Sequence, residues 1–413
     1  MHRLPRRDLA VGIDVGTSKV AAIVGEVRRD GTCDIIGFGV TPSAGMRKGV
    51  VVDIEGVSRA VADAAQKAGR MAGVEIKSAY VSISGSHLSS LNNRGVVAVA
   101  RDDREITAED VDRVLDAARV LNIPADREIV HVVPREFVVD GYDGVRDPVG
   151  MLGVRLEVEA HVVTGAVTSI QNLLKGVARA GLQVEDLVVS SLASGEAVLL
   201  PAERELGVLV LDIGGGTTDL GIFERGNPLY SAVVPVGGDH VTGDLAIGLR
   251  TPPPEAERIK LEHGRARPCP EADDDVFEVP NVGGTGTRQM SGSVVAQIIA
   301  PRLQELFALV KQQIGRSGRA GQIPGGVVLC GGCALLPGIG EMAEEELQMP
   351  ARVGTPAGLG GLVDLVSSPA FATTVGLLLY ATRGQAGLAR AEVRGGVLGS
   401  LWDRVRRVLG DFF

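Results

Sequence analysis

Residues 208–226 read VLVLDIGGGTTDLGIFERG: a greasy run enters an aspartate, three glycines, two threonines and a second aspartate, then turns greasy again. Two apolar strand-like runs joined by so short a polar stretch describe a buried hairpin whose tip is nearly bare backbone. Residues 9–27, LAVGIDVGTSKVAAIVGEV, repeat the design more loosely. A chain that carries this hairpin twice is constrained to two similar halves, each with a flexible polar tip at the end of a core strand.

Asp14 and Asp212 each end a strand and open a run of Gly and Ser/Thr. Small residues there let backbone N–H groups approach an anion closely, and the hydroxyls of Thr17, Ser18, Thr217 and Thr218 add donors. An aspartate cannot touch a phosphate directly, but it can hold the water shell of a Mg²⁺ that bridges phosphates. Two tips facing each other would clamp a nucleotide from both sides. One such hairpin alone reads equally well as an ordinary glycine turn. Two copies, with a third glycine loop at Gly331 and Gly332, favour nucleotide binding. The pattern G-x-x-x-x-G-K-[ST] is absent, which excludes a P-loop.

At 413 residues and 45% apolar content the chain can bury several cores, and with aromatics at 3% they rest on Val, Leu, Ile and Ala. A net charge of −9 argues against general nucleic-acid binding. Four cysteines make no disulfide framework. Cys330 and Cys333 form a single C-x-x-C without a second pair or clustered His, so they read as small buried residues rather than a zinc site. The basic N-terminal stretch runs into Asp14 and is not read as a signal peptide, and no run of about 18 uninterrupted apolar residues exists to span a bilayer.

Along the chain, strands near 9–40 precede a helical stretch at 56–73 and a strand at 78–85. Between 86 and 162 the texture changes. TAEDVDRVLDAARVL opens with Thr107 and an acid three residues later, a capped amphipathic helix; short strands flank it, giving a small α+β insertion. Strand and helix then alternate again through the glycine hairpin. Two helices split by a Pro-rich turn follow at 236–264, then a possible hairpin within 264–290 and a long helix bent at Pro301. A strand and glycine loop at 326–338 and an apolar helix after Pro369 close the core.

These motifs resemble the actin, Hsp70 and sugar-kinase superfamily, and within it the FtsA family, the bacterial actin homologues of cell division. GIDVGTSKV, VSISGSH, FVVDGYDGVRDPVGMLGVRLEVEAHVVTG, VLDIGGGTTDLGIF, VGGDHVTGDLAIGL and AERIKLEHG carry the match over nearly the whole length. The resemblance implies an α/β actin-like ATPase fold, two ribonuclease-H-like halves around a nucleotide cleft. Subdomain 1A would cover 8–85 and 163–195, an inserted subdomain 1C 86–162, subdomain 2A 196–236 and 326–383, and subdomain 2B 237–325. It further implies ATP with Mg²⁺, phosphate contacts from Gly16, Thr17, Ser18, Lys19, Gly214, Gly215, Gly216 and Thr217, and Gly237 and Gly238 beside them. Glu257 and Lys260 would reach the ribose or base, and Gly331 and Gly332 would lie under the adenine. Taken by themselves, Glu257 and Lys260 are a solvated ion pair at i, i+3.

Where relatives often read Glu-Pro before the connecting helix, this chain has Ser190-Ser191. In related ATPases that Glu orients the attacking water, and a serine is no base at neutral pH, so tight ATP binding with slow or absent hydrolysis is expected. The resemblance also implies self-assembly and contacts with later division proteins through the insertion. It places the acidic, apolar C-terminal tail of FtsZ, the tubulin-like division protein, near the long helix. Arg302 and Lys311 are the candidate cations there, although each reads equally as a solvated helix face.

The segment GGVLGSLWDRVRRVLGDFF follows a Gly/Arg-rich linker expected at 384–396. At about 100° per residue, Leu398, Leu401, Trp402, Val405, Val408, Leu409, Phe412 and Phe413 form one stripe. Arg404 and Arg406 flank it, placed to snorkel to anionic lipid headgroups. Residues 397–413 thus read as an amphipathic membrane-targeting helix, and the resemblance implies that it holds the protein peripherally on the cytoplasmic side of the cell membrane, at the septum. The rival reading is a helix docked on the core. Rival functions are a small-molecule kinase on the same fold, which would have no use for this helix, and a pilus-type actin-like adaptor.

Overall fold

The computed structural model describes residues 8–28, 30–269, 274–282 and 286–393, with side chains through 382. Strands β1 (Leu9–Val15), β2 (Lys19–Val27) and β3 (Cys33–Pro42) form an antiparallel meander. The two-residue strands β4 (Met46–Arg47) and β5 (Val50–Val51) lead into α1 (Ile54–Ala72), and β6 (Ser78–Ile83) joins β1 in parallel. The insertion follows: β7 (Ser89–Ala98), α2 (Ala108–Arg119), β8 (Arg127–Val139), β9 (Tyr142–Val145) and β10 (Arg155–Ala166). Helix α3 (Val167–Arg179) and β11 (Gln183–Val189), parallel to β6, complete the first half. Its sheet has the order β11-β6-β1-β2-β3.

Helices α4 (Ser190–Val198) and α5 (Pro201–Leu206) lead to the second half. There β12 (Val208–Ile213), β13 (Thr218–Glu224) and β14 (Asn227–Val234) form a second antiparallel meander. Helices α6 (Gly238–Gly248) and α7 (Pro253–His263), the hairpin β15 (Val276–Pro280) and β16 (Thr287–Ser291), and α8 (Gly292–Arg316) follow. Strand β17 (Val327–Cys330) pairs parallel with β12, and after α9 (Ile339–Leu347) β18 (Ala351–Val353) pairs parallel with β17. The order β14-β13-β12-β17-β18 repeats the first sheet strand for strand. The sequence repeat is therefore a repeat of topology: three meander strands, then two parallel strands that need helical crossovers. A two-residue strand β19 (Gly360–Gly361) adds to β3, and α10 (Ala372–Val393) ends the described chain.

Each half has its own aliphatic core, as the shortage of aromatics requires. Ile13, Ile23, Val57, Val61 and Val81 are buried in the first, and Leu209, Leu211, Leu245, Ile299 and Phe307 in the second. The insertion has a third, smaller core around Val114, Phe137, Leu156 and Val158. Thr107 begins α2 as its sequence predicts: its N–H donates to the Asp110 carboxylate at 2.9 Å. Among the described helices, α8 is long and apolar enough to cross a membrane by length and composition. Val295, Ile299, Leu303, Leu306, Phe307 and Val310 nevertheless bury its apolar stripe in the second core. The helix continues through Pro301.

Two departures from the sequence reading concern the end of the chain. Residues 372–383, grouped with the second half by position, pack on the first: Val375, Leu378 and Ala381 belong to its core. The expected linker at 384–396 is helical through Val393; its Ala, Leu, Arg and Glu are strong helix formers and outweigh the scattered glycines. Helix α10 also crosses α4 at van der Waals closeness. A Cβ on Gly376 would lie 1.7 Å from the Ala193 carbonyl oxygen, so only glycine fits. The targeting-helix residues 397–413 lie outside the described residues.

Candidate functional site

The tips of the two meanders face each other across a cleft between the sheets. Both turns are closed by the same bond: Gly16 N–H donates to Lys19 C=O at 3.0 Å, and Gly214 N–H to Thr217 C=O at 2.9 Å. The tips touch. A Cβ on Gly215 would sit 1.9 Å from Ser18 Oγ, and one on Gly216 2.7 Å from Thr17 Oγ1. Of the sequence-predicted residues, Gly16, Thr17, Ser18, Lys19, Gly214, Gly215, Thr217, Gly238, Glu257, Lys260, Gly331 and Gly332 all line this cleft. Their five separate stretches of sequence meet here.

Some predicted groups are occupied otherwise. Thr218 is buried and its hydroxyl donates to the Val236 carbonyl at 2.8 Å, behind the sheet. Side chains alternate along a strand, so if Thr217 faces the cleft Thr218 cannot, and its expected phosphate contact is corrected. Gly237 N–H donates to His240 Nδ1 at 3.1 Å. Gly238 N–H donates to the Gly214 carbonyl at 2.9 Å, tying the start of α6 to the second tip.

The alternation that removes Thr218 brings in Asp219, a residue the sequence reading passed over. Asp14, Asp212 and Asp219 stand together at the cleft floor. Ser82 Oγ donates to Asp14 Oδ1 at 2.8 Å, Thr373 donates to Asp212, and Ser84 Oγ donates to Asp219 Oδ2 at 2.7 Å. Burial raises Asp14, opposed by the Lys19 charge; burial and the Asp14 charge raise Asp212 to about 6. Burial and the Asp212 charge push Asp219 to about 8. Three carboxylates that resist ionisation together want a cation. The fit is supported by the buried Asp219 Oδ1, which has no hydrogen-bond partner. Among the described residues no group of three His, Cys, Asp or Glu side chains could ligate a metal directly. A hard cation held through its waters, as Mg²⁺ prefers, suits this arrangement.

Opposite the carboxylates, α7 contributes the pair read as an i, i+3 contact. Lys260 Nζ lies 2.7 Å from Glu257 Oε2, and also donates to Thr242 Oγ1 at 2.9 Å and to the Gly238 carbonyl at 3.2 Å. Lys260 is largely buried while the Glu257 side chain stays partly open to solvent, so the pair forms a half-buried cleft wall. The floor beneath is glycine by necessity at one position. Gly331 has φ +84, and a Cβ there would lie 2.5 Å from both Asp212 Oδ1 and the Ile213 carbonyl, whereas Gly332 faces open space. Cys330 is buried in β17 and Cys333 lines the cleft, both as free thiols. Burial pushes the Cys333 thiol up to about 11, which leaves it a weak nucleophile.

Ser190 also lines the cleft, at the first residue of α4, with its hydroxyl 3.3 Å from the Ile83 carbonyl. Glu196, six residues on, is ion-paired to Arg204 at 2.8 Å and serves structure. The two cations nominated on α8 are engaged within the molecule. Arg302 donates from Nε to Asp244 at 2.6 Å and from Nη2 at 3.0 Å, and also pairs with Glu305; Lys311 Nζ donates to the Glu346 carbonyl at 3.3 Å. Ser82, Ser84, Thr373 and Thr242 were not foreseen. Only the serines had a sequence signal, their i, i+2 spacing at the end of a strand.

Comparison with known proteins agrees with this architecture. The family model "Cell division protein FtsA" matches residues 209–376, and the model "SHS2 domain inserted in FTSA" matches residues 85–164. The chain is 45% identical over 411 residues to the cell division protein FtsA of Pseudomonas aeruginosa, covering 98% of each. Among solved structures it resembles the PilM-PilN type IV pilus biogenesis complex, with TM-score 0.65 at 18% identity over 90% of this chain and 98% of that one. It also resembles MreB 5 of Spiroplasma citri bound to AMPPNP, with TM-score 0.57 at 14% identity over 94% of this chain and 100% of that one. The fold is that of the actin-like ATPases.

Proposed function

The chain belongs to the FtsA cell-division family, and on that premise we propose that it binds ATP with Mg²⁺ in the cleft and polymerises on the inner face of the cytoplasmic membrane. There it anchors FtsZ and helps recruit later division proteins. The observation that carries this reading is the pair of matched turns closing on one another over Asp14, Asp212 and Asp219. Backbone amides and hydroxyls of both tips would hold the phosphates, and a bound Mg²⁺ would offset the charge of phosphates and carboxylates together. Glu257 and Lys260 would exchange their mutual bond for the ribose or base. Ser190 gives no base, so hydrolysis is slow or absent; turnover near the usual enzyme rate of about 10 s⁻¹ would overturn this part.

The acidic tail of FtsZ would dock near α8, where its carboxylates must displace Asp244 and Glu305 from Arg302. Such an exchange of one charged partner for another costs little net energy and favours a modest, reversible affinity. Membrane attachment rests on residues 397–413. A fully buried large apolar side chain contributes about 1.5–3 kcal/mol and an arginine near anionic lipid about 1, but interfacial burial is partial and ordering costs entropy. One copy therefore binds reversibly, and a polymer that presents many copies stays put through effective concentration.

Liposome co-sedimentation with and without ATP, using the full chain and a chain lacking residues 397–413, tests the whole reading. ATP-dependent pelleting of the full chain alone is expected. Equal pelleting of both, or titration of millimolar ATP·Mg²⁺ without heat or signal, would contradict it. A kinase on this fold would instead transfer label from ATP to a small acceptor.

A further inference from the structure

The insertion is joined by the chain to the first half alone, yet its edge strand lies against the second half. Strand β7 faces β14, and the two belong to different sheets with no backbone ladder between them. Side chains take the ladder's place. The Ser90 hydroxyl donates to the Ser231 carbonyl at 2.7 Å and accepts from the Ser231 N–H at 3.0 Å, standing in for a peptide group. Asn92 Nδ2 donates to the Leu229 carbonyl at 3.2 Å, which leaves its Oδ1 as an acceptor for His161 Nδ1 at 3.0 Å. That fixes the imidazole tautomer, so His161 Nε2 accepts from the Ser231 hydroxyl, also at 3.0 Å. His161 and Ser231 are buried. Burial, with the charge of Arg135, holds His161 down to about 3, so the ring stays neutral.

Around this seam, buried at His161 and Ser231, lies a charged rim. Arg225 pairs with Glu136 at 3.0 Å, Asn227 Nδ2 donates to the Arg135 carbonyl at 2.8 Å, and Arg146 pairs with Glu205 at 2.8 Å. The other edge of the insertion is fixed to the first half. His131 of β8 accepts the N–H of Val189 at 3.2 Å, and Val189 immediately precedes Ser190 in the cleft wall. The entry to the insertion is fixed as well: Ser84, which bonds Asp219 across the cleft, lies five residues before β7 begins. Register shifts between β8 and β10 at Glu159/Ala160 and Val163/Thr164 fall on either side of His161 and re-aim that strand.

We propose that the insertion is a strap across the two halves, and that the seam of Ser90, Asn92 and His161 on Ser231 and Leu229 holds the cleft closed. Besides this seam, the halves meet at the cleft itself, where the tips touch and Ser84 bonds Asp219, and through α4 and its crossing with α10. Rotation about that crossing slides β14 along β7, and a row of directional hydrogen bonds centred on the buried His161–Ser231 pair has no half-slipped state: it holds or it parts. Opening of the cleft and release of the insertion are then one event. By reciprocity, a partner that draws the insertion away from β14 opens the cleft, and whatever closes the cleft stiffens the insertion.

The test is amide hydrogen exchange on the full chain without nucleotide, so it stands whatever the cleft binds. Ser90→Ala removes the stand-in peptide group. Arg225→Glu sets a like charge against Glu136 at the exposed rim, where folding is not at risk, and Arg225→Glu with Glu136→Arg restores the attraction. Expected is a rise of roughly threefold or more in exchange at 16–19 and 214–218 for Ser90→Ala and Arg225→Glu. Exchange in α1 and α8 stays unchanged, and the charge-swapped pair returns to the parent value. If Ser90→Ala also loosens α1 and α8, the rim pair decides. Unchanged exchange at both cleft tips, with β7 and β14 loosened or not, overturns the proposal.

Discussion

Asp14 and Asp212, the acidic ends of the first strand of each half, are both hydrogen-bonded by the opening turn of α10. Thr374 Oγ1 lies 3.5 Å from Asp14 Oδ2, and its neighbour Thr373 donates to Asp212 Oδ2. One helix thus senses both sides of the cleft floor, and both carboxylates are oriented by groups far from them in sequence. The consequences are specific.

Asp212→Asn keeps the Thr373 contact and the side-chain shape but removes one charge. The affinity for ATP in the presence of Mg²⁺ is expected to fall at least roughly tenfold, while affinity without Mg²⁺ changes little. Calorimetric titration with and without EDTA separates the two. Equal losses in both would show that Asp212 holds the fold rather than the cation.

Stability without Mg²⁺ depends on pH with a defined sign. Asp212 and Asp219 are raised to about 6 and about 8, well above the usual carboxylate range. The folded chain therefore keeps protons that the unfolded chain has released. Stability is fully present below about pH 4 and is lost as pH rises through 6 and 8. Thermal melts in EDTA should fall from about pH 5.5 to about pH 8.5, and Asp219→Asn should flatten much of that fall. Saturating ATP·Mg²⁺ should flatten it too, because a cation favours the ionised carboxylates.

Two adjacent glycines separate folding from binding. Gly331→Ala meets a left-handed backbone and the Asp212 carboxylate, and is expected to cost about 1–3 kcal/mol of stability. Gly332→Ala meets open space; its melting temperature should hold while nucleotide affinity drops. A reversed pattern would place the base elsewhere.

Gly376→Ala forces a methyl group into the Ala193 carbonyl. Strain of about 1–3 kcal/mol or more is expected, seen as a lower melting temperature with the secondary structure unchanged by circular dichroism.

Trp402→Glu places a charge in the apolar stripe expected of residues 397–413. Flotation with anionic liposomes should be lost while ATP binding persists. If the substituted protein still floats, the anchor is elsewhere.

The repeated hairpins, the insertion's capped helix and the glycine loops were legible in the sequence because each is a local pattern. What the sequence withheld is long-range. Thr373 and Thr374 meet their aspartates across 161 and 360 residues, with no periodicity to announce it. Asp219 was within reach: counting faces along β13 from Thr217 selects it and rejects Thr218. The placement of α10 against the first sheet was hidden because its neighbours in sequence belong to the second. Arg302 shows the opposite limit, since a lone arginine on a helix face says nothing of an aspartate 58 residues earlier.

The last described helix packs on the half where the chain began. Helix α10 starts at the cleft floor, lies on the first sheet and continues for 22 residues, about 33 Å at the helical rise. A pull along α10 would thus reach β1 and the Asp14 tip through this packing, and the Asp212 tip through Thr373, so that both lobes would feel one stroke.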